Sequence, residues 1–267
     1  MAHVARLRVY PVKALDGEDR DVVGLTPNGT LAGDRAFALF GPDGDVINGK
    51  RTDAVHRLRT SYDAAGGVLR VRRAEQPPND ARAFDLTADR AAAEAWFAEH
   101  LGTPVTIRRD AERSFVDRPE SGPSVVSTAT LEAVASWFEA LDVADVRRRL
   151  RANVEVGGVP AFWEDRFVTD DAPAFEAGRV RLEGVEPCGR CVVPTRDPDT
   201  GEPTPGFREQ FVERRAATYP EWADRSAFPH DYTLMLIARV PEADRDGELR
   251  VGDPVRVVGG DARRTET

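Results

Sequence analysis

The chain has 267 residues, 41% of them hydrophobic and 31% charged, with a formal net charge of −9. That length suits two domains of roughly 100–200 residues each, and the apolar fraction supports a packed core, which excludes disorder of the whole chain. The negative charge argues against nucleic acid as a main ligand, and no apolar run approaches the roughly 18–20 residues that span a bilayer or forms a signal-peptide core, so the expected setting is cytoplasmic with no membrane partner.

The first hundred residues read mainly as strands. Residues 3–11 alternate Val4, Leu7 and Val9 loosely with basic side chains. Residues 35–40 run into Gly41-Pro42-Asp43-Gly44, a turn signal, and on to residues 45–48, which predicts a hairpin. Residues 68–72 form another alternating strand, and residues 76–80 a loop. Alanine-rich residues 89–101, stopped by Gly102, predict a helix. A strand follows at 105–108, and the polar stretch 110–123, with Pro119 and Pro123, is the expected domain junction.

Beyond it, Ser127 or Thr128 caps a helix through about Leu141, with Leu131, Val134, Trp137, Phe138 and Leu141 on one face. Residues 147–151 hold four arginines around Leu150 and precede a strand at 153–156. Further strands are expected at 179–182, 232–240, 248–251 and 255–258, a helix at 207–217, and a frayed tail at 259–267. Short strands at this spacing suggest barrels or curled sheets rather than a βαβ array.

Two residue types are scarce. Only Lys13 and Lys50 are lysines; the other thirty-five basic residues are arginine. An acid-rich, lysine-poor composition points to a halophile, with the codon bias of a GC-rich genome as the alternative. The two cysteines, Cys188 and Cys191, lie three apart, which excludes the spread bridges of a secreted disulfide framework.

Cys188-Gly189-Arg190-Cys191 allows three readings. A thioredoxin-type pair needs the second cysteine to enter a helix, and Val192-Val193-Pro194 does not continue as one. A zinc site needs four ligands, yet there is no second cysteine pair, and His3, His56, His100 and His230 are scattered. The third is a thiolate ligand to a soft, redox-active metal, with Arg190 supplying a favourable charge. Spacing alone leaves all three open.

The stretch PCGRCVVPTRDPDTG at 187–201 closely resembles the cysteine motif of the molybdenum cofactor sulfurase C-terminal (MOSC) domain. RVYPVKALDG at 8–17 and GDRAFALF at 33–40 are similar to segments of the N-terminal β-barrel domain that precedes MOSC. LRANVEVGGVPAFWEDRF at 150–167 and RVGDPVRVV at 250–258 follow in the family's order, so the resemblance spans nearly the whole chain. It implies a mixed α+β, mostly β fold: an N-terminal β-barrel-like domain at 1–115 packed on a β-barrel MOSC domain at 116–267, with peripheral helices.

Residue by residue, the resemblance makes Cys191 the molybdenum ligand and leaves Cys188 a supporting residue of undefined role. Lys13, Arg35, Arg151, Asn153, Gly189 and Arg190 fall on cofactor-contacting positions. Three departures stand out: Ala14 and Gly189 replace usual serines, each removing a hydroxyl, and Ala152 replaces a usual proline. Ser124 is a further phosphate-loop candidate. A molybdopterin phosphate needs cations gathered in one place, arginine as a bidentate fork and lysine as a point charge. Lys50-Arg51 reads as a solvated hairpin end, and Arg147, Arg148 and Arg149 as charges closing a helix. Asp197 is either a turn cap or, with Thr195, a proton-handling group near the metal. Glu164-Asp165 reads as structural, and Asp34 as a partner of Arg35 or a hairpin cap.

The resemblance, which extends to the mitochondrial amidoxime-reducing component, implies a molybdenum-cofactor oxidoreductase that reduces a small N-hydroxylated substrate. Two cysteines provide no iron–sulfur cluster, so a separate ferredoxin or flavoprotein is the expected electron donor. The alternative is a non-catalytic carrier of molybdenum cofactor or sulfur. A monomer is expected, since no apolar stripe stands out.

Overall fold

The structure, a computed structural model, describes residues 1–118, 121–169 and 171–259. Its centre is an eight-stranded sheet in the order Val255–Val258, Ala174–Ala177, Val180–Gly189, Thr233–Arg239, Ser124–Ser127, Val154–Gly157, His3–Val9, Glu18–Arg20. Neighbours are antiparallel except Ser124–Ser127 and Val154–Gly157, which run parallel. A parallel pair needs a crossover, and helices α2 (Thr128–Ser136) and α3 (Val143–Leu150) supply it, once α1 (Arg90–Leu101) has been passed in the chain.

Alternation splits the sheet's apolar residues between two cores, with a break at Met235 (φ 76°) that sends Leu234 and Leu236 to opposite faces. Val125, Val154, Val156, Leu236 and Phe167 pack on one face. Val126, Leu234 and Ile237 pack on the other, against Leu131, Val146 and Leu150 of α2 and α3 and Phe211 of α4 (Phe207–Ala217). The strand Thr233–Arg239 serves both faces, which is why it reads as a near-continuous apolar run. A third core joins Val12, Phe37, Leu69, Val71, Phe97 and Ile107. It is built on the sheet Leu58–Asp63, Val68–Arg73, Arg82–Asp85, on the pair Phe37–Phe40 with Thr106–Arg109, and on α1, which Gly102 closes in the left-handed conformation.

The fold is therefore mixed α and β and mostly sheet, with four α-helices and fifteen strands among the described residues. Barrels are the expectation, but the strand orders are open, with no closing pair among the described residues. The N-terminal strands are not confined to their own half of the chain. His3–Val9 pairs with Val154–Gly157, and Val22–Gly24 pairs with Glu248–Arg250.

Several local expectations change. The hairpin after Phe40 is present but short: Phe40 bridges Val46, the Gly41 amide donates to the Asp45 carbonyl and the Ile47 amide to the Leu39 carbonyl, while Phe37–Phe40 takes Thr106–Arg109 on its other edge. The helix from Thr128 stops at Ser136 rather than Leu141. Trp137 and Phe138 turn inward to stack on Phe162 and Phe207, and Asp142 opens α3 with a capping box. The strand expected at 179–182 extends to Gly189 across two irregularities of register. At the first of these, a Cβ on Gly184 would lie 1.6 Å from the Phe167 carbonyl oxygen, so only glycine fits. The strand Ala174–Ala177 has no counterpart among the expected elements. Pro119 of the expected junction, and the expected tail past Gly259, lie outside the described residues.

Candidate functional site

A cavity of about 710 Å³ opens where the third core meets the central sheet. Its wall combines residues following the first strand (Tyr10, Lys13 to Gly17), the C-terminal end of α3 with Arg151, and Cys188, Gly189, Arg190 and Cys191. Ten arginines and both lysines line it, against two aspartates, Asp16 and Asp117. A chain of net charge −9 thus faces one cavity with a cationic wall. Eight of the sequence-derived site residues meet there: Lys13, Arg35, Arg151, Asn153, Cys188, Gly189, Arg190 and Cys191.

The backbone is strained around this wall. Six non-glycine residues among those described have positive φ, and four line the cavity: Ala14 at 73°, Arg35 at 51°, Arg151 at 59° and Met235 at 76°. Such conformations cost of order 1–3 kcal/mol each and gather at functional sites. Here they aim two arginines. Arg151 caps α3 in the left-handed conformation, which turns its guanidinium back over the Tyr10 ring at 4.0 Å, where Nη2 donates to the Leu15 carbonyl at 2.7 Å. Arg35 approaches the same ring at 5.0 Å and is paired with Asp34. Asp34, itself buried, accepts from the Tyr10 amide at 2.7 Å. Burial raises the Tyr10 phenol, with Arg151, Arg8 and Arg35 opposing it. Burial also pulls the Arg151 guanidinium below its ordinary value, and the charge of Arg35 adds to this.

The two cysteines differ. Cys188 is buried near the end of the strand Val180–Gly189, and its Sγ accepts from Arg190 Nη1 at 3.2 Å. Arg190 Nη2 donates to the Leu150 carbonyl at 3.0 Å, fixing the guanidinium against the end of α3. Arg190 thus bonds the first cysteine of the motif, although it stands next to the second in sequence. Cys191 is half-buried beyond the strand. After it the chain is tied to α3: Arg149, buried, donates from Nη1 to the carbonyls of Pro194 and Arg196. Asp199 joins Arg148 of α3 to Arg59 of the three-stranded sheet.

Asn153 works at the junction of three strands. Its Oδ1 accepts from the Ser124 amide and hydroxyl, and its Nδ2 donates to the Arg8 carbonyl at 3.1 Å. Ser124, the further phosphate-loop candidate, also lines the cavity. Lys13 Nζ donates to Asp117 Oδ1 at 2.6 Å, and Lys50 Nζ to Asp117 Oδ2 at 3.0 Å. Burial acts to raise the Asp117 carboxyl, but the hydrogen bonds and charges of the two lysines outweigh it and hold the group at about 2.

Buried polar atoms without a partner are uncommon in proteins, and four of them belong to residues of this wall: Nε of Arg149, Arg190 and Arg196, and Nε2 of His56. Burial lowers the His56 imidazole below its ordinary value, the Gly49 backbone opposes this, and the charges of Arg196 and Arg151 push the same way as burial. A roomy cavity with cationic walls, unmet donors and a thiol beside it has the make-up of a site for a large anionic group.

Asp197 is the exception among the expected site residues, because it is absent from the cavity wall. Its Oδ1 accepts from the amides of Asp199 and Thr200 and from the Thr200 hydroxyl, so the carboxylate organises the turn, and Arg149 Nη2 lies 4.0 Å from Oδ2. The turn reading, not the proton-handling one, matches this geometry. Thr195 donates to the Val192 carbonyl at 2.7 Å. Glu164 and Asp165 lie in the core with Arg215, as the structural reading expected.

Sequence reasoning passed over Arg196, Asp117 and Tyr10, set aside His56 as scattered, and read Lys50 as a solvated hairpin end and Arg148 and Arg149 as charges closing a helix, whereas all seven line the cavity. Lys50 carried a usable signal, since it is one of only two lysines. Arg148 and Arg149 carried none beyond charge, because only the left-handed turn at Arg151 shows which face of α3 meets the cavity.

Comparison with known proteins adds the family. The MOSC N-terminal beta barrel domain matches residues 1–115, and the MOSC domain matches residues 113–256. Mitochondrial amidoxime reducing component 2 of Bos taurus is 25% identical over 292 residues, covering 94% of this chain and 82% of its own. The Homo sapiens protein of that name is 23% identical over 291 residues with the same coverage. The YUAD protein from Bacillus subtilis covers 98% of both chains at 13% identity, with a TM-score of 0.41, too slight a likeness to build on. With the MOSC domain matched over more than half its length and the N-terminal barrel domain ahead of it, the chain belongs to the MOSC domain family.

Proposed function

We propose that the cavity binds molybdenum cofactor through Cys191 and that the protein reduces N-hydroxylated compounds. A function related to this cofactor follows from the family; the amidoxime reducing relatives bring the reaction class. The observation that carries the reading is the meeting of the cysteine pair with a cation-walled cavity whose buried guanidinium Nε atoms lack partners. Those residues fit a group that has soft metal at one end and a phosphate dianion at the other.

When bound, the cofactor supplies the two-electron redox couple, so that an N–OH group, two electrons and two protons give N–H and water. The chain's own part is binding and orientation. Cys191 offers the thiolate. Arg190, pinned by Cys188 and the Leu150 carbonyl, holds a fixed positive charge next to it in sequence. Lys13 and Arg35 face the phosphate, and Arg151 sets the pocket floor with Tyr10. The electron donor in this reading is a ferredoxin or flavoprotein, because the two cysteines of these 267 residues are too few for an iron–sulfur cluster.

Metal analysis of protein made in a cofactor-competent host tests this, beside Cys191→Ala. We expect stoichiometric molybdenum in the parent, its loss in the variant, and amidoxime reduction by the dithionite-reduced parent. Metal held without turnover would turn the reading to a carrier, and no metal in the parent would end it.

A further inference from the structure

Thirty-five of the thirty-seven basic residues are arginine, yet the only two lysines end on one carboxylate. Lys13 comes from the turn after the first strand, its amide donating to the Phe37 carbonyl at 2.8 Å. Lys50 comes from a separate loop in which its amide donates to Asn48 Oδ1 at 3.0 Å. That loop is seated against the wall, because a Cβ on Gly49 would lie 2.6 Å from His56 Nε2. Two independent backbone anchors thus bring two ammonium groups to one place at the cavity wall.

We propose that Lys50 is a second phosphate-binding cation beside Lys13, and that Asp117 is a resident counter-ion that releases both when a phosphate arrives. An ammonium is a compact charge with three donors, so each lysine keeps two N–H groups after bonding Asp117. One carboxylate neutralises only one of two ammonium charges, whereas a phosphate dianion neutralises both. Phosphate and carboxylate on the same pair of cations would repel each other. Asp117 is the partner that can leave: its side chain is 51% exposed, against 16% for Lys13 and 44% for Lys50, and Lys50 is held by its loop's bond to Asn48 and the seating of Gly49 against His56, so the carboxylate can turn into water. Arg35 nearby is already matched by Asp34 and does not replace either lysine.

The proposal rests on the cofactor reading for the source of its phosphate, but its test does not. Cofactor-free protein is titrated with inorganic phosphate by calorimetry and ³¹P NMR, and molybdenum is measured separately in protein from a cofactor-competent host. Lys50→Gln is expected to weaken phosphate binding about tenfold, Lys50→Arg to keep it within about threefold, and Asp117→Asn to strengthen it roughly fivefold or more. Thermal melts of each variant exclude simple unfolding. Unchanged affinity in Lys50→Gln, or weakening in Asp117→Asn, would overturn the proposal. If the parent takes up molybdenum but the phosphate affinities do not move, only this inference fails. If the affinities move as expected and no molybdenum is found, the anion site stands and its phosphate belongs to another ligand.

Discussion

Ala14 occupies a left-handed conformation that favours glycine, next to a lysine the cavity needs. Ala14→Gly should stabilise the protein by about 1 kcal/mol by relieving that strain, measured as a rise in denaturant midpoint; a fall would show that the turn is held by its rigidity. Glu164 is fully buried with one oxygen unpartnered, and burial together with the neighbouring Asp165 raises it from 4.5 to about 8. The folded state then keeps a proton that the unfolded chain releases above about pH 4.5, so this group's contribution to stability is full below that pH and is lost as pH climbs to about 8. Glu164→Gln should therefore match the parent near pH 4 and exceed it by a few kcal/mol at pH 9, because each pH step between those two values is worth about 1.4 kcal/mol. Equal stability differences at all pH values would remove the explanation. At this scale the sequence marks Cys191, Lys13, Arg35 and Arg151 through motifs, Lys50 only through rarity and Asp117 not at all, since pairing across separate loops leaves no local pattern.

Among the elements, α4 and the strand Val255–Val258 match their expected bounds, because amphipathic pattern and flanking glycine or proline are local signals. Val180–Gly189 does not, because its length depends on irregularities of register against Thr233–Arg239. Gly184 marks one of them. Gly184→Ala should cost several kcal/mol, at the upper end for single substitutions, since the obstacle is the Phe167 carbonyl rather than a movable side chain; a loss under about 1 kcal/mol in chemical unfolding would show that the strand can shift. The same strand delivers Cys188, so the glycine also sets where the cysteine turn begins.

Over the whole molecule, the cationic wall makes the ligand-free protein carry unmet positive charge in one place, and any anion that binds only the folded form raises its stability. We expect inorganic phosphate at about a hundred times its dissociation constant to add about 2.7 kcal/mol, read as a higher melting temperature that added sodium chloride reduces. An unchanged melting temperature would argue that the wall is already neutralised internally. The polar stretch near residue 115 suggested a division into halves, but the sharing of the central sheet across that point was not legible, because strand pairing at long sequence separation has no local signature. That sharing governs how the protein is made. Tyr10 reaches Ala152 across 142 positions, and the cysteine wall follows later still. At roughly 5–20 residues per second on the ribosome, the first strand, paired on one edge by Glu18–Arg20, waits roughly seven to thirty seconds for Val154–Gly157 on the other, which stays open to wrong neighbours. The cavity does not exist in the growing chain, so its ligand enters only after synthesis has passed the second cysteine.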